Sequence, residues 1–300
     1  MALPENPQQQ LAWEARHRPR AAIAAGAAGL LILAGQIFRG AAFRDAPRAN
    51  FLEALQRAQQ PGPVGTQPSV QTGAAQYLSD HAVSWILPAI AEGLGYIALA
   101  YTLTFLAAAT RARREQFPRL ATYLPAIGAV LTAMVTVVGA LGRMADINGF
   151  LDGPRTVDAA KDIGFGPVSL VAQIAFLPAS LALAAAYVLV SLNAMRAGLL
   201  TRFMGVLGVI AGGLVVIQLG PFPVVQTVWL VGLAIMLTGR RPGGDPPAWR
   251  TGREEPWPSQ QEAAEARRRR AEERAPEEPV AVAAGGPSRS SSRRKRKRRR

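Results

Sequence analysis

The chain has 300 residues and a formal net charge of +14, of which an all-basic run at residues 293–300 supplies 8. There is no Cys, and the two histidines, His17 and His81, lie far apart and outside the apolar runs. That excludes disulfides, thiolate zinc sites, iron–sulfur ligation, thiol catalysis and a His-based metal cluster in the core. A mean hydropathy of only +0.12 averages an apolar middle with a strongly polar end.

A bilayer core about 30 Å thick takes roughly 20 apolar residues in a helix, with about 17 to 25 allowed. Residues 1–20 read as a cytoplasmic segment, and "RHRPR" leads into a first apolar run at 21–38. A signal peptide also has a basic start and an apolar core, but this run exceeds a typical h-region and no clean small-x-small site follows. A membrane anchor is the first reading and a cleaved signal the second.

Residues 39–82 form a long external loop. Within it "PRANFLEALQRAQQ" places Phe51, Leu52 and Leu55 on one helical face, as in a helix lying at a membrane surface. The following "PGPVGTQPSVQTG" reads as a flexible linker.

The second span, 83–107, contains one charge, Glu92, and the third, 120–142, contains none. The uncharged stretch 163–195 exceeds one span, so "IGFGP" reads as loop and the helix as 168–193. "GPFP" at 220–223 breaks the next apolar stretch into spans at 200–219 and 223–239, because two prolines and a glycine mark a turn. Pro88, Pro125 and Pro178 fall inside spans, where neighbouring helices absorb kinks. None of these segments alternates apolar with polar residues as barrel strands do. The expected fold is therefore all-α, a six-span polytopic transmembrane bundle.

Orientation follows from Lys and Arg near the span ends. With the N-terminus inside, the inner segments hold 13 basic residues in 38 positions and the outer ones 7 in 67. Both termini are thus expected in the cytoplasm. Residues 240–300, rich in Pro, Glu and Arg, have the composition of a disordered tail. A solvated helix is expected at 259–274, where Ser259 and Glu262 have capping-box spacing.

Glu92 is the sharpest chemical feature, since an ionised carboxylate near mid-bilayer is costly and such groups often mark ion or proton pathways. The plainer reading is a protonated side chain hydrogen-bonded to a neighbouring helix. Gln36, Arg143, Gln173 and Gln218 fall in the outer halves or at the outer ends of their helices, so together with Glu92 they could line an outward-opening vestibule. The plainer account is that polar groups near an interface cost little. Gly205, Gly208 and Gly212 allow close helix approach, within the bundle before dimerisation. "DINGFLD" at 146–152 shares the opening of a calcium loop but lacks its closing Glu. No catalytic or nucleotide fingerprint occurs in a usable context, so neither an enzyme nor a cofactor is expected.

The tail run Arg293, Arg294, Lys295, Arg296, Lys297, Arg298, Arg299 and Arg300 reads first as a contact to anionic inner-leaflet lipid, at about 1 kcal/mol per basic residue near the surface. RNA or ribosome contact is the second reading, and a merely solubilising tail the third.

"NFLEALQRA" at 50–58, "AEGLGYIALAYTL" at 91–103 and "MRAGLLTRFMGVLGVIAG" at 195–212 carry a resemblance to a bacterial family of six-helix membrane proteins, a domain of unknown function. The resemblance covers about residues 20–240. It implies a six-helix fold and supplies no activity or catalytic residue. Two functions are expected from the whole reading. The first is a multipass inner-membrane protein with a non-enzymatic structural, regulatory or interaction role. The alternative is a small transporter or channel-like protein using Glu92.

Overall fold

A computed structural model describes residues 7–48, 51–59, 61–217, 223–239, 245–257, 264–265 and 268–269. The helices are α1 (Pro7–Ala42), α2 (Phe51–Ala58), α3 (Thr72–Asp80), α4 (Ala82–Arg113), α5 (Arg119–Asp152), α6 (Val157–Lys161), α7 (Pro167–Arg196), α8 (Arg202–Ile217), α9 (Val224–Leu237) and α10 (Pro247–Thr251). Among the described residues there is no strand, only an isolated antiparallel bridge between Pro68 and Thr156. Four helices, α1, α4, α5 and α7, are long and apolar enough to cross a membrane. At 16 and 14 residues, α8 and α9 fall short of the 200–219 and 223–239 expected of them and of the usual length of a span.

The six apolar helices close into a ring. α1 packs on α4, α4 on α5, α5 on α7, α7 on α8, α8 on α9, and α9 returns to α1, with α4 also touching α7. Small residues make these approaches possible. A Cβ on Gly128 would stand 2.6 Å from the backbone nitrogen of Leu183, and one on Gly142 2.8 Å from that of Ser169, so α5 and α7 meet backbone to backbone. Gly205, Gly208 and Gly212 do the same for α8: a Cβ there would meet Met195, Ser191 and Tyr187 of α7, and at Gly208 also Trp229 of α9. All three glycines are occupied inside this chain.

The interior is built largely from Ala and Gly, while large apolar side chains such as Leu30, Leu94, Leu120, Ile174, Phe203 and Ile235 are exposed. Only 33–44% of the apolar window of each candidate span is buried. In water so much exposed apolar surface would be an aggregation liability; facing acyl chains it costs nothing.

Three stretches differ from their sequence reading. The first helix runs from residue 7 to 42 instead of 21 to 38, so most of the expected N-terminal segment is helical and Arg39 belongs to the helix, not the loop. The expected flexible linker at 61–73 is folded: Ser69 N donates to Arg155 O (2.9 Å) and Val157 N to Gln67 O (2.9 Å). α3 then packs Ala75 and Leu78 on Ile147, Phe150 and Ala160. In this small cap Thr156 Oγ1 accepts from Ala159 N to start α6, and Asp158 holds the pKa of Lys161 above the usual lysine value. α2 leaves Leu52 and Leu55 exposed.

The third difference is at the other end. Residues 245–257 are not an unstructured start of the tail: Ala248 and Trp249 of α10 are buried in the main core. Trp249 donates its indole N–H to Leu199 O (3.0 Å), and Glu255 N donates to Ala197 O (3.3 Å). Gly198, at φ +80°, makes the turn between α7 and α8, and any Cβ there would strike the carbonyl of Glu255. Beyond Trp257 the chain forms a separate unit. Its described residues, Ala264, Glu265, Arg268 and Arg269, are helical and exposed. Ser259, Glu262 and the basic run 293–300 lie outside the described residues.

Candidate functional site: buried charge pairs and an α5–α7 cleft

α1 and α4 run antiparallel in close contact, because Gly35 rests on the Pro88 carbonyl and Glu92, and Gly95 on Ile32. That register puts Glu92, 2% exposed, beside the last two turns of α1. Gln36 Nε2 donates to Glu92 Oε1 at 2.6 Å, and the Arg39 guanidinium donates to Oε2 in an ion pair. Arg39 also lies over the Trp85 ring, 5.8 Å from its centroid. Glu92 is thus a paired carboxylate. Its cation was hidden in the sequence because the apolar run stops at Phe38, although Arg39 follows Gln36 by three residues and shares its helix face.

A second buried pair joins the same two helices at their other end. Glu14 of α1 and Arg113 of α4 are 2% and 8% exposed. Arg113 donates to Glu14 Oε2 at 2.7 Å and Oε1 at 2.5 Å, and again to the carbonyls of Ala248 (2.9 Å) and Ala109 (2.9 Å). Gln10 Nε2 donates to Glu14 Oε1 at 2.8 Å. Nearby Arg18 forms a two-pronged bond to Asp245 (2.8 and 3.0 Å), donates to Met236 O, and lies 4.8 Å from the Trp249 ring. Trp13, Phe105 and Trp249 stack in series at 5.5 and 5.9 Å. Sequence reading missed this cluster, since Glu14 and Arg113 flank apolar runs like ordinary interfacial charges.

The polarity of the two pairs is reversed: α1 brings the acid at one end and the base at the other. A one-turn slip between α1 and α4 breaks both at once. Each therefore acts as a register lock, at the cost of desolvating two charges.

The expected vestibule does not form as one site. Gln36 and Glu92 meet between α1 and α4, whereas Arg143 and Gln173 line a cleft of 380 Å³ between α5 and α7. Gln218 lies outside the described residues. Cleft walls come from Val135, Gly139, Ala172 and Phe176, with Ile163, Gly164 and Phe165 over the top. Asp146 does not open a cation loop, because 146–152 is the last part of α5. Its Oδ2 accepts from Gly164 N (3.0 Å), Gly166 N (3.3 Å) and Ser169 Oγ (2.6 Å), and so satisfies the start of α7. Among the described residues no three His, Asp or Glu gather where they could hold a metal.

The roles of Glu92 and Arg39 are separable by stability. Arg39→Met leaves a buried carboxylate without its cation and should destabilise by about 2–3 kcal/mol, whereas Glu92→Gln frees a quarter-exposed guanidinium that can turn to water and should cost about 1 kcal/mol. Thermal unfolding of the two variants in detergent reads the difference. Equal losses would contradict the asymmetry.

Fold and site together define an all-helical chain with four helices long and apolar enough to cross a membrane, two of which, α1 and α4, are joined by buried charge pairs. No family model, curated protein or solved structure matches the chain. The resemblance to the six-helix bacterial family therefore rests on its motifs.

Proposed function

We propose that the chain is a six-span protein of the bacterial cytoplasmic membrane, with both termini in the cytoplasm and a non-enzymatic structural, regulatory or interaction role. The single observation that carries this is the basic end of the bundle. The start of α1, the end of α4, the α7–α8 turn and residues 245–257 all meet there. N- and C-terminal segments on one side require an even number of crossings, which α8 and α9 complete as two short spans. Arg16, Arg18, Arg111, Arg113, Arg114, Arg196, Arg202, Arg250 and Arg253 lie in these segments, as the positive-inside rule asks of a cytoplasmic face. α1 buries Ala21, Ala25, Ala28 and Ile32 between α4 and α9, which favours an anchor over a cleaved signal.

The polybasic run follows a segment seated on this face, so anionic inner-leaflet lipid is within its reach. The transport alternative asks Glu92 to exchange protons or ions with an open path. Against it, both carboxyl oxygens are engaged by Arg39 and Gln36.

One preparation tests the reading. Because the chain has no Cys, single cysteines at Asp158 and Ser259 report sidedness: a membrane-impermeant maleimide should label the first in intact spheroplasts and the second only after lysis. In nanodiscs, trypsin cleavage within 289–300 should slow with anionic lipid and recover with added salt. Labelling of both positions from outside refutes the topology. Salt-insensitive cleavage combined with RNA retention favours the RNA reading. Proton flux lost in Glu92→Gln proteoliposomes favours transport.

A further inference from the structure

The α5–α7 cleft has a chemistry that the charge pairs do not use. Its 380 Å³ falls within the range of small-molecule sites, about 300–1,000 Å³. The lining is apolar along the two helices and polar at one end, where Arg143 and Gln173 sit. Arg143 is exposed and, among the described residues, has no ion-pair partner, in contrast to Arg18, Arg39, Arg113 and Arg114. It ends the uncharged run 120–142, at the level where lipid headgroups meet a span. From Arg143 to Val135 the lining descends eight residues of α5, about 12 Å along the helix.

The acid that follows it on α5 makes no ion pair with this cation. Asp146, one turn on, has its carboxylate taken up by two backbone N–H groups and the Ser169 hydroxyl. Gln173 donates to the Gly164 carbonyl, which holds the loop bearing Phe165 over the cleft. Phe165 and Phe176, both of the lining, are exposed, so the site opens sideways where acyl chains would lie. A water-soluble anion has no use for such walls; a lipid matches both ends.

We propose that this cleft binds one anionic phospholipid, its headgroup phosphate on Arg143 and an acyl chain along Val135, Gly139, Ala172 and Phe176. The proposal rests on reading α5 and α7 as membrane spans. Arginine is suited to the phosphate because its planar fork donates two parallel hydrogen bonds.

The test uses full-length protein extracted in mild detergent, exchanged with equal amounts of phosphatidylglycerol and phosphatidylcholine and examined by native mass spectrometry. Phosphatidylglycerol should be retained about tenfold over phosphatidylcholine, Arg143→Gln should bring the two close to parity, and Arg143→Lys should keep part of the preference. The Tm of Arg143→Gln should not fall, since no ion pair is lost. Val135→Phe, which narrows the cleft and leaves the cation in place, should also reduce retention. Equal retention of both lipids, or a preference unchanged in Arg143→Gln and Val135→Phe, overturns the proposal. Displacement of the lipid by inorganic phosphate alone also overturns it, by showing a site for the headgroup only. Recovery of the protein in the soluble fraction without detergent would instead refute the membrane reading beneath it.

Discussion

Arg113→Met should lower the free energy of unfolding of the whole bundle by about 3–5 kcal/mol. The substitution removes a guanidinium that is buried with Glu14 and that also holds the carbonyls of Ala109 and Ala248. What remains is a carboxylate 2% exposed, with Gln10 as its other hydrogen-bond donor. Leaving a buried charge uncompensated costs far more than the net value of the pair it belonged to. The same reasoning gives the sign of the double variant. Adding Glu14→Gln to Arg113→Met removes the stranded charge and should recover more than half of the loss, although Glu14→Gln alone destabilises. Unfolding followed by circular dichroism in detergent, across the full double-mutant cycle, reads the coupling directly. Additive losses would mean that the two side chains are not paired.

Trp249→Ala should act differently, by releasing a segment instead of unfolding the bundle. The indole is 6% exposed, stacks on Phe105, lies under Arg18 and Arg113, and donates to Leu199 O. Truncating such a side chain costs about 3–5 kcal/mol. The six-helix ring keeps its own contacts, however, while residues 245–257 are otherwise held mainly by polar contacts such as the Arg18–Asp245 and Arg114–Glu254 ion pairs, the Arg113 bonds to Ala248 O, and Glu255 against Ala197. The penalty exceeds what those contacts can hold. The backbone at Arg250 and Arg253 should then become a fast tryptic site, and amide exchange over 247–252 should rise by orders of magnitude with the far-UV signal of the bundle almost unchanged. A cooperative fall in Tm of the whole protein, without early cleavage at 250–253, would show that this segment is an integral part of the bundle. Release would in turn leave the basic tail on a longer tether, so its protection by anionic lipid should weaken in the same sample.

The helical architecture was legible because one physical requirement dominates the sequence. Long uncharged runs can satisfy their backbone in lipid only as helices, and for α7 the run also locates both ends within a few residues: 168–193 is expected and the helix runs Pro167–Arg196. Small residues at close spacing likewise marked α8 as a packing helix, and Gly205, Gly208 and Gly212 sit against α7. What could not be read were ends and partners. Charge stops an apolar run in the sequence but does not stop a helix, so α1 and α5 continue through Arg39 and Arg143. The polar, Pro-rich stretches 61–73 and 245–257 have the composition of linkers, yet each is folded against helices distant in sequence.

By itself, then, the sequence determined that the chain is helical, which segments are apolar enough to lie in a bilayer, and where its charge concentrates, because all three follow from composition over windows of about 20 residues. Tertiary structure alone decided which polar groups are partners. Glu92 belongs to Arg39 and Gln36, Glu14 to Arg113, Asp245 to Arg18, and Asp146 to the start of α7. Arg143, grouped with Glu92 as a polar group of one outward-opening vestibule, instead lines a separate cleft and, among the described residues, has no ion-pair partner. Depth along a helix is set by counting residues, but the face a side chain presents to a neighbour depends on which helices pack together and in what register. That is fixed here by glycine contacts between helices and by charge pairs whose partners stand 53 to 227 residues apart.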